Sequence, residues 1–122
     1  MFPEQRLTGC AIVVAWSNPE GMDMYGLIGR MIAAPGKREE LLTTMLEGNA
    51  AMPGCTSYVI ARDPKSEDGL WITEVWDSKD SHDASLQLPH VQVTIAKARS
   101  IIAGFDQYFE TEPLGGIGLS PA

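Results

Sequence analysis

Two histidines follow one tryptophan closely in this chain, and they are the only imidazoles it contains. Trp76 ends a short alternating segment, His82 comes six positions later and His90 fourteen positions later. An aromatic ring can hold a flat ligand by stacking, and imidazole is the side chain that most readily exchanges protons near neutral pH. We therefore expect a site here that binds a planar ligand and moves a proton.

Each of these three residues also has a purely structural explanation. Tryptophan is highly buried on average, so Trp76 could be a core ring that closes the strand end. His82 stands among polar residues in a helical turn and could be a solvated helix residue, with Asp83 pointing away from it. His90 follows a proline that opens a helix, where an imidazole can simply pack or cap.

Further candidates lie on the predicted strands. Arg30 is the only charge in the middle of the first strand. We expect it to pair with Glu74 on a neighbouring strand, and the functional alternative is that it holds a phenolate or superoxide. Tyr58 and Tyr108 could line a pocket, although tyrosines on strands also pack well against the sheet.

The positions of turns and apolar residues indicate the elements that carry these side chains. The run Ser17-Asn18-Pro19-Glu20-Gly21 is a concentrated turn signal that separates an N-terminal arm, residues 1–22, from a domain over residues 23–122. Apolar periodicity then predicts alternating strands and helices, followed by an irregular tail. We expect strands at 24–33, 55–62, 70–76 and 105–112, and helices at 37–52, 78–86 and 89–103.

The order strand, helix, strand, strand, helices, strand is that of a ferredoxin-like α+β fold, in which helices cover one face of an antiparallel sheet. The other face stays bare. A chain of 122 residues is too small to expose so much apolar surface comfortably, so we expect a homodimer that packs sheet against sheet.

Composition restricts the classes of partner. The chain is 44% hydrophobic with 20% charged residues, which is typical of a folded globular domain. Its formal charge of −7 disfavours nucleic acid as a partner, and its apolar runs are too short to span a membrane. Cys10 and Cys55 are too few for a disulfide framework or for a metal site with four cysteine ligands. We therefore expect a cytoplasmic protein without a bound metal.

Five short motifs give a more specific indication: Tyr25-Gly26-Leu27-Ile28, Pro35-Gly36-Lys37, Met52-Pro53-Gly54-Cys55, Glu74-Val75-Trp76 and Leu88-Pro89-His90-Val91. In this order and spacing, the chain resembles the antibiotic biosynthesis monooxygenase family, which includes small quinol monooxygenases. The resemblance extends from Met24 to about Glu112. It implies a dimeric α+β barrel with a pocket between sheet and helices, which oxygenates electron-rich phenols with O₂ and no metal, flavin or haem.

The resemblance also allows positions to be compared with branches of that family. The aromatic-polyketide oxygenases have a tryptophan with a tyrosine six residues later and an asparagine four residues earlier, whereas this chain has Trp76, His82 and Ile72. His90 matches a Pro-His pair of many quinol monooxygenase relatives. The haem-degrading branch uses a histidine and an asparagine where this chain has Ile95 and Gly29, so haem degradation is not expected.

The resemblance therefore implies a cofactor-free monooxygenase for a small aromatic substrate. His82 and His90 are the candidate bases, and the candidate substrate contacts are Trp76, Arg30, Tyr58 and Ile72. Two alternatives stay open: a non-catalytic barrel that binds an aromatic metabolite, and an isomerase of the same fold that transfers protons with one histidine and no oxygen.

Overall fold

The structure is a computed structural model that describes residues 23–119. The expected N-terminal arm, with Cys10, lies outside the described residues. The described chain forms four strands and three helices, in the order β1 (Tyr25–Ala33), α1 (Arg38–Glu47), β2 (Cys55–Arg62), β3 (Gly69–Trp76), α2 (Lys79–Ser85), α3 (Pro89–Ala98) and β4 (Ile102–Thr111).

The four strands form one antiparallel sheet in the order β2-β3-β1-β4. The central strand β1 pairs with β3 on one side and with β4 on the other, while β2 and β4 are the edges. This is the ferredoxin-like α+β arrangement that the order of sequence segments predicted.

The register decides which side chains share a face. Leu27 lies opposite Glu74, and Gly29 lies opposite Ile72. Because strand side chains alternate between faces, Leu27, Gly29, Ile72 and Glu74 all point towards the helices. The main core on that side combines strand and helix residues: Met31, Ala33, Leu41, Leu42, Leu70, Ile72, Ala98 and Ile101.

Two helix ends differ from the sequence prediction. Helix α1 ends at Glu47 rather than near Met52, and α3 ends at Ala98. Ile102 begins β4, where it pairs with Ala33. It was expected on the helix because its spacing of four from Ala98 continues the apolar stripe, and an apolar β-branched residue suits the start of a half-buried strand equally well.

The start of α2 is fixed by a cap and a tight turn. The Ser78 hydroxyl accepts a hydrogen bond from the Ser81 backbone N–H at 3.1 Å, as an N-cap does. Gly54 adopts φ +87°, and its carbonyl accepts the Asp77 N–H at 2.8 Å. A Cβ at Gly54 would approach Ser81 to 2.5 Å, so glycine lets this turn lie directly against α2.

Arg30 lies on the face of the sheet away from the helices. Its guanidinium donates to Asp63 at 2.8 Å and to Asp106 at 2.5 Å. The expected pair with Glu74 is therefore wrong, because the register places Glu74 opposite Leu27 and on the other face. The pKa of Asp63 is lowered by a backbone hydrogen bond from Lys65 and by Arg30.

No described helix is long and apolar enough to cross a membrane.

Candidate functional site

A cavity of about 510 Å³ lies between the sheet and the helices. Its floor includes Leu27 and Gly29 of β1 with Ile72 of β3, and its roof includes Ile95 of α3. Most of its wall is apolar, which is typical of a site for a small organic molecule. The ionisable and hydroxyl side chains in the wall are therefore the groups to consider for chemistry.

The polar end of the cavity is built around His82. The His82 Nε2 atom is 4.0 Å from Glu74 Oε1, and both side chains line the cavity. On the other side of the ring, Nδ1 is 3.1 Å from Asp83 Oδ1. The imidazole thus lies between a carboxyl group in the cavity and a carboxylate on the surface.

The contact with Asp83 corrects the expectation that this carboxylate points away from His82. Consecutive helix residues do not face each other, but Asp83 has a short side chain whose oxygen reaches back to the neighbouring ring. The hydrogen bond with His82 and the ammonium of Lys79 at 3.2 Å lower the pKa of Asp83. Asp83 is thereby kept ionised beside the imidazole.

Glu74 is the residue that sequence analysis missed as a member of the site. Burial raises the pKa of its carboxyl group, while a hydrogen bond from Trp76 and the charge of His82 act in the opposite direction. Its neighbours Ile72 and Trp76 have the same strand parity and were already expected to face the ligand. That alternation was the signal by which Glu74 could have been found.

Trp76 does not line the cavity. Its side chain is 1% exposed and packs in a small core with Tyr25 and Leu27. The indole N–H donates to Glu74 at 2.8 Å, and the ring meets that of His82 edge-on, with centroids 5.4 Å apart. Trp76 therefore orients the side chains of Glu74 and His82 from outside the cavity rather than stacking on a ligand.

The other predicted site residues divide into two groups. Tyr58 and Ile72 line the cavity, as does Tyr108. Burial, together with the charge of Glu74, raises the pKa of the Tyr58 hydroxyl. Arg30 is on the opposite face, and His90 is not part of the cavity wall. The His90 Nε2 atom is buried and has no hydrogen-bond partner among the described residues.

Among residues 23–119, no group of three or more histidine, cysteine, aspartate or glutamate side chains is arranged to hold a metal ion.

Comparison with known proteins identifies the fold and the family. Residues 24–97 match the family model described as antibiotic biosynthesis monooxygenase. A crystal structure of a "putative antibiotic biosynthesis monooxygenase" from Chloroflexus aurantiacus is 57% identical to this chain. The match covers 80% of this chain and 99% of that one, with a TM-score of 0.77.

More distant structures share the fold. One from Caulobacter crescentus, with the same description, is 19% identical over 78% of this chain and 92% of its own, with a TM-score of 0.65. Another, from Bacteroides thetaiotaomicron, is 14% identical over 75% and 90%, with a TM-score of 0.67. No curated protein matched the sequence.

Proposed function

The chain belongs to the antibiotic biosynthesis monooxygenase family, and we propose that it is a cofactor-independent monooxygenase that oxidises a quinol or another electron-rich phenol with O₂. One observation carries the proposal: His82 Nε2 and Glu74 Oε1 lie 4.0 Å apart at one end of a mostly apolar cavity. A phenol bound there would meet a proton acceptor in mostly apolar surroundings.

His82 is the proposed general base. Asp83, at 3.1 Å, favours the tautomer in which Nδ1 carries the hydrogen, so Nε2 has a free lone pair on the side of the cavity. The proton taken from the phenol would form an imidazolium beside two carboxyl groups, Asp83 and Glu74. A nearby carboxylate stabilises such a cation, which makes the phenolate easier to form.

The oxidation then needs only the phenolate and O₂. The phenolate passes one electron to O₂, which gives a phenoxyl radical and superoxide. These recombine to form a carbon–oxygen bond at a ring carbon. The imidazolium returns its proton to the outer peroxide oxygen, the ring C–H and O–O bonds break, and water leaves. One oxygen atom of O₂ is then in the quinone product and the other is in water.

Oxygen consumption by chelator-treated protein with a panel of hydroquinones tests this proposal. Uptake that depends on the protein supports it. Proton exchange into a phenol or ketone under nitrogen, without any oxygen uptake, would favour the isomerase alternative. Saturable binding with neither reaction would favour the binding barrel.

We also propose that the protein acts as a homodimer through the sheet face opposite the cavity. The register places apolar residues on that face, including Ile28, Val59, Trp71 and Phe109. Val59 and Phe109 are 54% and 51% exposed, and no described helix covers them. A second copy would remove this surface from water.

The low cysteine count supports a cytoplasmic setting.

A further inference from the structure

The floor of the cavity has one position without a side chain. Gly29 lies at the middle of β1, and the nearest residues on the same face of the sheet all carry side chains that line the cavity. They are Leu27 and Met31 along the strand, and Ile72 and Tyr108 on the paired strands. The sheet therefore has a depression at Gly29 that side chains border on every side.

No structural cause for a glycine is present at this position. Gly54 has a positive φ, and at Gly48, which also lines the cavity, a Cβ would collide with Thr94. Gly29 is in an extended strand without a positive φ, and a Cβ built on it would meet no atom of the described residues closer than 3.9 Å. Alanine would fit there without strain.

Glycine inside a strand normally weakens the strand, because it has no side chain to pack and loses much conformational freedom on folding. Where such a glycine is neither strained nor crowded, close approach of a ligand is a common reason for it. The backbone atom nearest to the Cβ position of Gly29 is the Gln107 oxygen of the paired strand, at 3.9 Å. The space above Gly29 is therefore open to the cavity and available to a ligand.

The border of the depression is partly aromatic. The Phe105 ring atoms Cδ2 and Cε2 lie 3.9 and 4.0 Å from the Cβ position of Gly29. Phe105 is 55% exposed, so the described chain leaves part of this ring uncovered. Aromatic rings associate edge-to-face or offset-stacked, with centroids about 4.5–7 Å apart. An aromatic ring in the depression would make such a contact with Phe105.

The depression is next to the polar end of the cavity. Glu74 pairs with Leu27, which is two residues from Gly29, or about 7 Å along the strand. A hydrogen bond of about 2.8 Å and one aromatic ring together cover a distance of this size. A phenol whose ring lies on Gly29 can therefore have its hydroxyl at the polar end.

We propose that Gly29 is a specificity-determining residue, which leaves a depression where the flat aromatic ring of the ligand lies directly against the backbone of β1. A side chain at this position would lift the ring away from the backbone. That the ring is a phenol rests on the proposed function, whereas the selection of a flat ring rests on Gly29 and the residues around it.

Gly29→Ala tests this proposal, because one methyl group fills the depression without disturbing the strand. The matched control is Gly104→Ala, since Gly104 is also in a strand, has nothing within 4 Å of its Cβ position and does not line the cavity. Calorimetry under nitrogen measures binding of 2-naphthol, which is flat, and of 1-octanol, a flexible chain that can bend around the methyl group. We expect Gly29→Ala to bind 2-naphthol about tenfold more weakly than the wild type and 1-octanol equally well. Gly104→Ala should bind both like the wild type.

Thermal melting separates a role in binding from a role in folding. Alanine at an unstrained glycine position restricts the unfolded chain, so the Tm of Gly29→Ala should equal or exceed that of the wild type. A lower Tm, unchanged binding of 2-naphthol, equal weakening of 1-octanol, or a wild type that does not bind 2-naphthol would each overturn the proposal.

The same measurements keep this proposal separate from the proposed reaction. If Gly29→Ala weakens only 2-naphthol but no phenol consumes oxygen, the monooxygenase activity fails while the ring site stands. Oxygen uptake by the wild type with unchanged 2-naphthol binding in Gly29→Ala would have the opposite meaning.

Discussion

At the scale of single residues, His82 is held on three sides. Trp76 meets its ring edge-on, Tyr25 lies at a tilt with centroids 5.4 Å apart, and Asp83 binds Nδ1. Only Nε2 is left to face the cavity and Glu74. An imidazole restrained in this way is oriented before the substrate arrives, which is what a general base requires.

Replacement of His82 should therefore remove the base without unfolding the site. We expect His82→Gln, which keeps much of the side-chain volume, to lower kcat for a hydroquinone about 10²-fold, the scale of losing a general base. The matched control is His90→Gln, since His90 does not line the cavity. Steady-state kinetics with Tm measurements check both. Full turnover in His82→Gln and loss in His90→Gln would identify His90 as the base.

Glu74 should make stability depend on pH. Burial raises its pKa in the folded state above the ordinary value of 4.5. As pH rises, the unfolded chain ionises first, so the wild type loses stability as pH passes through the raised folded pKa. Glu74→Gln has no such loss and can still accept the hydrogen bond from Trp76. We expect its Tm to exceed that of the wild type at neutral pH, with the difference vanishing by about pH 4.

Melting curves of both proteins across this pH range provide the test, with Glu67→Gln as an exposed control. A Glu74→Gln variant that melts below the wild type at every pH would show that the carboxylate stabilises the fold.

The alternation of side chains along β3, which places Glu74 on the same face as Ile72 and Trp76, is visible in the sequence. The burial that raises the pKa of Glu74 is not. Burial depends on helices distant in sequence, so it appears only in the folded chain.

At the scale of elements, the site depends on a seven-residue helix. Helix α2 carries His82, and a helix this short has little stability of its own. It is fixed by the Ser78 cap at its start and by contact with the Gly54 turn. Its exact start therefore controls where the imidazole points.

Removal of the cap should lower both stability and activity. We expect Ser78→Ala to reduce the free energy of unfolding by about 1 kcal/mol, because the Ser81 N–H loses its acceptor. The kcat should fall as well, since α2 carries His82. Ser78→Thr retains a capping hydroxyl and should restore most of both quantities. Urea unfolding and kinetics check this, and an Ser78→Ala variant as stable and active as the wild type would contradict it.

The elements themselves were largely predictable. Alternating apolar residues identified β1 and β3, and α3 begins at Pro89, as predicted. Ile102 was wrongly assigned to the helix because its position fits both the helical and the strand periodicity of apolar residues. Pairing with Ala33 decides between them, and pairing of distant strands is not encoded in local periodicity.

At the scale of the whole molecule, the open sheet face is the feature that the single chain does not explain. Val59 and Phe109 are half exposed there, beside the ion pairs of Arg30. The sequence predicted a bare face from the order of elements alone. Alternation along β1 places Arg30 on the face opposite Leu27 and Met31, but the sequence could not predict its pairing with Asp63 and Asp106, because loop and bulge residues supply both partners.

Two valines offer a matched test of the proposed dimer. Val59 on the open face is 54% exposed, and Val93 on the outer side of α3 is 53% exposed. A lysine within an apolar interface would be buried without a partner, so we expect Val59→Lys to sediment as a monomer. Val93→Lys should sediment like the wild type. A wild type of about 13 kDa at micromolar concentration, or no difference between the variants, would contradict the dimer.

The most direct test of the central claim is the source of the oxygen atom in the product. Chelator-treated protein is incubated with a hydroquinone and ¹⁸O₂, and the mass of the product is measured by mass spectrometry. A labelled standard of the product, treated in the same way, shows how much label is lost by exchange with water. The proposed reaction predicts one ¹⁸O atom per product molecule, none from H₂¹⁸O, and a rate that falls about 10²-fold in His82→Gln. A product without ¹⁸O, or labelling at an undiminished rate in His82→Gln, would contradict it.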